Sequence, residues 1–241
     1  GKRRYNQHTA ESAVFLKGYA MKAFLAACGF LLVCGTASAD AINLVKNGDF
    51  NAGASGFGSD YTLADGSHNS PWPAGVYDVA ASATGLHDLW ETGGDHTGGG
   101  DFLLVNGRTD RESVAWRQLI ATDIGSVYEF GAWAKNLCCA IGGEAIGPEL
   151  SFWANGTLLG SMLTDGPGNW IGSAWTYTAD NARTVLEIRN GQTAYHGNDF
   201  GLDDIYASKV ENTPAPEPAS LLLLGAGLAG IARRARRQRR G

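Results

Sequence analysis

Seven tryptophans stand in this chain of 241 residues, all between Trp72 and Trp175. An indole ring offers an apolar face and one N–H donor, so an exposed tryptophan suits the C–H face and hydroxyl rim of a sugar. Trp72 and Trp90 fall in a Gly-rich segment, and Trp170 follows Gly168-Asn169, which makes these three the candidate carbohydrate platform. Trp116, Trp133 and Trp153 fall inside strand-like runs, where packing in a core or on a sheet face is the expected role of a large aromatic. The same packing role competes for Trp72 and Trp90, which could pin long loops.

Other chemistry is sparse. Asp95-His96, with His87 and Asp88, gathers two imidazoles and several carboxylates within 15 residues. Transition metals favour such donors, but the spacing matches no established ligand pattern, so a turn or surface role is expected. The chain has no nucleophile elbow, zinc-protease helix motif or phosphate loop. Its many carboxylates cannot be paired from spacing into the acid and base of a glycosidase. A non-catalytic role is therefore expected, with an unrecognised glycoside hydrolase as the remote alternative.

The termini read as addresses. Pro216, Glu217 and Pro218 precede an uncharged, mostly apolar run from Ala219 to Ala232, followed by Arg233, Arg234, Arg236, Arg237, Arg239 and Arg240. This order resembles the PEP-CTERM sorting signal of exported bacterial proteins. The resemblance implies transient anchoring at the inner membrane and processing near the Pro-Glu-Pro by an exosortase-type transpeptidase. The arginines suit the cytoplasmic side of a bilayer. The run of 14 residues is shorter than a stable span, so a transient anchor is favoured over a permanent one. At the other end, Lys22 follows Met21, Ala23 to Val33 is hydrophobic, and Ala37-Ser38-Ala39 closes the segment. That is the pattern of a secretory signal peptide over 21–39, with cleavage after Ala39 and Ala37 as the other small residue of the site. Residues 1–20 read as translation upstream of the true start.

Between Asp40 and Pro216 there are 8 Lys plus Arg against 22 Asp plus Glu, a net charge of −14, whereas the whole chain carries −5. Nucleic acid as a partner is excluded, since its phosphates require clustered Lys and Arg. Solubility outside the cell is the simpler use of such a surface.

Residues 40–212 suffice for one domain with a real core. Apolar and polar residues alternate from Tyr128 to Lys135, as in a half-buried strand. Similar runs occur at Phe102–Val105, Ser113–Ile120, Leu150–Ala154, Trp175–Thr178, Thr184–Ile188 and Leu202–Ala207. Asn106-Gly107, Asn155-Gly156 and Asn190-Gly191 are turn signals between them. Many short strands without intervening helices predict an all-β antiparallel sandwich, with Gly53 to Gly100 as long loops over one end or face. A linker at 213–218 and a short apolar helix with its Arg-rich tail at 219–241 complete the expected layout.

Several segments, in order, resemble a jelly-roll family of carbohydrate-binding modules. Leu44-Val45-Lys46-Asn47-Gly48-Asp49-Phe50 looks like its opening strand and Asn198 to Ile205 like its closing strand. Asp95-His96-Thr97, Phe102 to Gly107, Trp116-Arg117-Gln118 and Tyr128 to Trp133 resemble segments between. The resemblance implies a jelly-roll sandwich and, often, a structural calcium tying the opening strand to the closing one. Asn51, Asp203 and Asp204 are its candidate ligands here, although the family's Glu after the first Phe is replaced by Asn51. Strand alternation would set Asp203 on the face of Ile205 and Asp204 on that of Tyr206, so at most one points inward, and Asp204 is narrowly favoured over Asp203 as the ligand. A turn-capping role for these aspartates competes equally.

Two of the four cysteines, Cys28 and Cys34, belong to the leader; Cys138 and Cys139 stay. A vicinal disulfide, bridges to another chain and free thiols are the open readings, and the first is favoured because the pair sits in a loop after the Tyr128 strand. Together these features predict an exported surface or biofilm-matrix protein that associates with extracellular polysaccharide, the alternative being a structural matrix protein without a glycan site.

Overall fold

The computed structural model describes residues 42–139, 147–164 and 166–211, together with Gly227, Arg236 and Gln238. The expected leader, linker and most of the apolar and Arg-rich tail lie outside the described residues. Gly227, Arg236 and Gln238 are helical. No described helix is long and apolar enough to cross a membrane.

Among the described residues ten strands form the body: β1 (Thr62–Leu63), β2 (Val76–Ala80), β3 (Phe102–Asn106), β4 (Val114–Ala121), β5 (Val127–Asn136), β6 (Glu149–Ala154), β7 (Thr157–Leu163), β8 (Ile171–Thr178), β9 (Arg183–Asn190) and β10 (Phe200–Lys209). They build a six-stranded sheet in the order β1-β2-β3-β10-β5-β8 and a four-stranded sheet in the order β4-β9-β6-β7. Successive strands from β3 onward alternate between the sheets except at the β6–β7 hairpin, the winding of a jelly-roll sandwich. Pairings are antiparallel apart from the short β1–β2 contact.

The core lies between the sheets. Leu103, Val105, Phe130, Ala132, Leu202, Ile205 and Ala207 of one sheet meet Trp116, Ile120, Leu150, Phe152, Leu186 and Ile188 of the other. Burying such large apolar side chains is what the alternation of these strands accomplishes. A second cluster of Ala83, Trp90, Phe102, Leu104 and Leu137 lies on the outer side of the six-stranded sheet, where residues from the Gly-rich segment cover it. That segment also contains β1 and β2, which were not expected. β7 is a further strand that alternation did not mark, because Thr157-Leu158-Leu159-Gly160 has no clean period of two.

Of the three Asn-Gly signals, only Asn155-Gly156 makes a hairpin. Both residues have positive φ (47° and 76°), the requirement of a two-residue turn whose twist matches its strands. Asn106 and Asn190 instead end β3 and β9 with buried side chains. The Asn190 amide donates to the carbonyls of Arg108, Asp110 and Gln192, and that of Asn106 to Pro71 and Trp72. These two asparagines satisfy loop carbonyls that strand pairing cannot reach.

Candidate functional site

The decisive irregularity is in β10. Asp203 pairs with Trp133, but the next pair is Tyr206 with Gly131, so Asp204 and Ile205 form a bulge, with Asp204 at φ 46°. A bulge inserts residues on one strand and switches the parity of those that follow. Leu202 and Ile205 therefore both enter the core, while Asp203 and Tyr206 share the outer side with Trp133. The expectation that Asp203 follows Ile205 is corrected by this shift.

Gly48 seats the opening segment against the bulge. Ile205 N–H donates to its carbonyl at 2.9 Å, and a Cβ at Gly48 would stand 2.0 Å from the Ile205 carbonyl oxygen. Asn47, at φ 53°, accepts the N–H of Ala52 and donates to the carbonyls of Gly53 and Ser55, which fixes the turn that follows. Between this segment and the bulge lies a cleft of about 440 Å³ lined by Asn43, Asn47, Asp49, Trp133, Asp204 and Tyr206, among others. Two aromatic and four polar residues thus line it, the Asn43 and Asn47 amides being committed to backbone groups. Tyr206 lies over Gly131, where a side chain would collide with its ring, and its hydroxyl donates to Glu129 at 2.9 Å.

Behind Trp133 the site is held by its own side chains. The His96 ring stacks on Trp133 at 3.8 Å, its backbone N–H donates to Asp203 at 2.8 Å, and its Nδ1 lies 2.7 Å from Asp204 Oδ2. Trp170 meets His96 edge-on at 5.9 Å. Lys135 donates to the Gly94 carbonyl at 2.8 Å, with its ammonium 4.2 Å from the Phe102 ring and 4.6 Å from that of Trp170. Burial pushes the Lys135 amine down to about 8 and the Asp203 carboxyl up to about 6. Asp95 is a turn residue, accepting the N–H groups of Gly98, Gly99 and Gly100 and the Thr97 hydroxyl.

The expected tryptophan platform is not one surface. Trp72 is exposed and stacks on His87 at 4.4 Å, and His87 stacks on Trp90 at 4.7 Å. Trp90 itself is only 4% exposed and donates its Nε1–H to Asp199 at 2.8 Å, so it anchors a loop and presents no ring to solvent. Trp170 is half-buried against Phe102 and Lys135. The ring that reaches the cleft is Trp133, which lies in a strand. Its half-burial is set by the partner strands, and the sequence carries no local sign of it.

The calcium candidates are engaged with protein donors. Both Asp203 oxygens accept backbone N–H groups, those of His96 and Asp204. One Asp204 oxygen meets His96. Asn51 accepts from Asp101 N–H and donates to Asp49. Among the described residues no three His, Cys, Asp or Glu side chains form a metal-holding group. The contacts of Asn51, Asp203 and Asp204 tie the opening segment, the Asp95–Asp101 loop and β10 together through protein groups. His87 and Asp88 do not join Asp95 and His96 either; Asp88 pairs with His68 and Asn69. Cys138 and Cys139 follow shortly after the end of β5 with their sulfurs adjacent, and the Cys138 backbone forms an antiparallel β-bridge with Trp90.

Residues 214–237 match the PEP-CTERM protein-sorting motif. No curated protein matches the chain in sequence. Among solved structures, the chain is similar to the CBM61 module TmCBM61, crystallised with β-1,4-galactotriose, at 16% identity and a TM-score of 0.46, covering 70% of this chain and 100% of that one. It is similar to the CBM22-1 xylan-binding domain of Paenibacillus barcinonensis Xyn10C at 16% identity and 0.37, covering 57% and 82%. A Stig cyclase from Fischerella sp. TAU is likewise similar, at 11% identity and 0.47, covering 70% and 98%. These low values decide no function. The chain carries a PEP-CTERM sorting motif, the mark of an exported protein sorted to the cell surface, on an all-β sandwich.

Proposed function

We propose that this protein is a non-catalytic module that associates with extracellular polysaccharide after export, and that the cleft beside the β10 bulge holds the glycan. One observation carries this reading: the aromatic residues Trp133 and Tyr206 line the same cleft as Asn43, Asn47, Asp49 and Asp204. Apolar ring faces flanked by hydrogen-bonding groups suit a pyranose, which has an apolar C–H face and a polar rim. The sorting motif implies an exosortase-type transpeptidase as the processing partner, with passage through the inner membrane as a transient anchored stage.

Co-sedimentation of the protein with insoluble polysaccharides, galactan and xylan among them, tests the reading. Trp133→Ala is expected to weaken binding about fivefold, since loss of one stacked ring costs on the order of 1 kcal/mol. An unchanged far-ultraviolet circular dichroism spectrum shows that the variant is folded. Binding unaffected by both Trp133→Ala and Tyr206→Ala rejects the cleft. Release of reducing ends from the polysaccharide rejects the non-catalytic assignment.

A further inference from the structure

The charges around the cleft define which polysaccharides it admits. Asp49 and Asp204 line it, and no Lys or Arg does. Asp49 is exposed, and Asp204 gives one oxygen to His96. Beside the cleft, Glu129 accepts from the Tyr206 hydroxyl. Lys135, the cation of this face, is 2% exposed, donates inward to Gly94 and is sandwiched by Phe102 and Trp170. Its ammonium is unavailable to a ligand in the cleft. The body as a whole carries −14 between Asp40 and Pro216.

We infer that the cleft of Trp133, Tyr206, Asp49 and Asp204 selects polysaccharides that bear free amino groups and excludes those that bear uronate or sulfate. The inference rests on the glycan reading above and specifies its ligand class. An ammonium offers three donors and no acceptor, whereas ionised carboxylates only accept, so an amino sugar between two carboxylates matches both in charge and in hydrogen bonding. The aromatic rings supply the stacking surface that any pyranose uses, and the carboxylates supply the discrimination. An anionic sugar would bring like charge against two carboxylates with no Lys or Arg in the lining to offset it. At contact distance and water-like dielectric, each carboxylate favours a bound ammonium by about fivefold in affinity, an effect that salt screens.

The test measures binding of the full chain, in mild detergent, to oligosaccharides of equal length: chitosan oligomers with free amines, their fully N-acetylated counterparts, and oligogalacturonate. At mildly acid pH the free-amine oligomer is expected to bind about 25-fold more tightly than the acetylated one, the difference shrinking at high salt. Oligogalacturonate is expected to bind weakest. Asp49→Asn and Asp204→Asn are each expected to reduce the free-amine preference, the ratio of amine-oligomer to acetylated-oligomer affinity, about fivefold. Asn tolerates the positive φ of residue 204, so the fold is retained. Asp180→Asn, a change at an exposed carboxylate outside the cleft lining, is the control for general attraction by the acidic body. Equal binding of amine and acetylated oligomers, preference for galacturonate, or a preference lost equally in Asp180→Asn overturns the inference and leaves the glycan reading standing. Absence of binding to all of these and to neutral xylan and galactan overturns both.

Discussion

Asp199 lets a solution measurement test the placement of the Gly-rich loops. Its carboxylate is 7% exposed and accepts two N–H groups, from Trp90 Nε1 at 2.8 Å and from Gly107 at 3.0 Å. Burial outweighs those two donors and raises its pKa from 3.8 to about 6. A carboxyl raised on folding is bound to its proton more tightly in the native state. Its stabilising contribution is fully present below 3.8 and is lost as pH rises through about 6. The shift corresponds to about 3 kcal/mol in total, of which about 2 kcal/mol falls between pH 4 and pH 7. His87, held between Trp72 and Trp90 with its pKa lowered by burial, works in the opposite sense as pH falls. The useful quantity is therefore the difference between the wild-type protein and Asp199→Asn, which cannot titrate. Asn leaves one N–H without an acceptor, a constant cost of about 1–3 kcal/mol at every pH. Urea unfolding of both proteins at several pH values gives the two slopes. The wild-type protein is expected to lose about 2 kcal/mol more than the variant between pH 4 and pH 7. Parallel pH profiles would refute the buried Trp90–Asp199 contact and the loop placement that depends on it.

Three further substitutions probe the frame of the site. Gly48→Ala forces a Cβ against the Ile205 carbonyl, and a loss of at least about 2 kcal/mol in thermal or urea unfolding is expected, together with weaker polysaccharide binding. Asn190→Ala strips a shared donor from three loop carbonyls and is expected to cost about 2 kcal/mol, measured in the same way. Gly156→Ala places a side chain at φ 76° in the β6–β7 turn and is expected to cost about 1 kcal/mol without altering polysaccharide binding, since the turn does not line the cleft.

The sequence by itself determined the sorting tail, the acidic body and seven of the ten strands. Each is written locally, as a run of charges, an apolar stretch or a period of two. Alternation from Tyr128 to Lys135 is visible in eight residues because adjacent side chains of a strand point to opposite faces. Pairing, by contrast, is a property of two strands. Whether Asn106-Gly107 turns a hairpin or packs against Asn198 depends on where residue 198 lies, 92 positions from Asn106. The β10 bulge reverses the inward parity after Asp203, and only the register against β5 reveals it. Tertiary structure also decided which tryptophans are available: it buried Trp90 over Asp199 and turned Trp133 into the cleft. Burial of a ring depends on what packs over it, and those residues arrive from elsewhere in the chain.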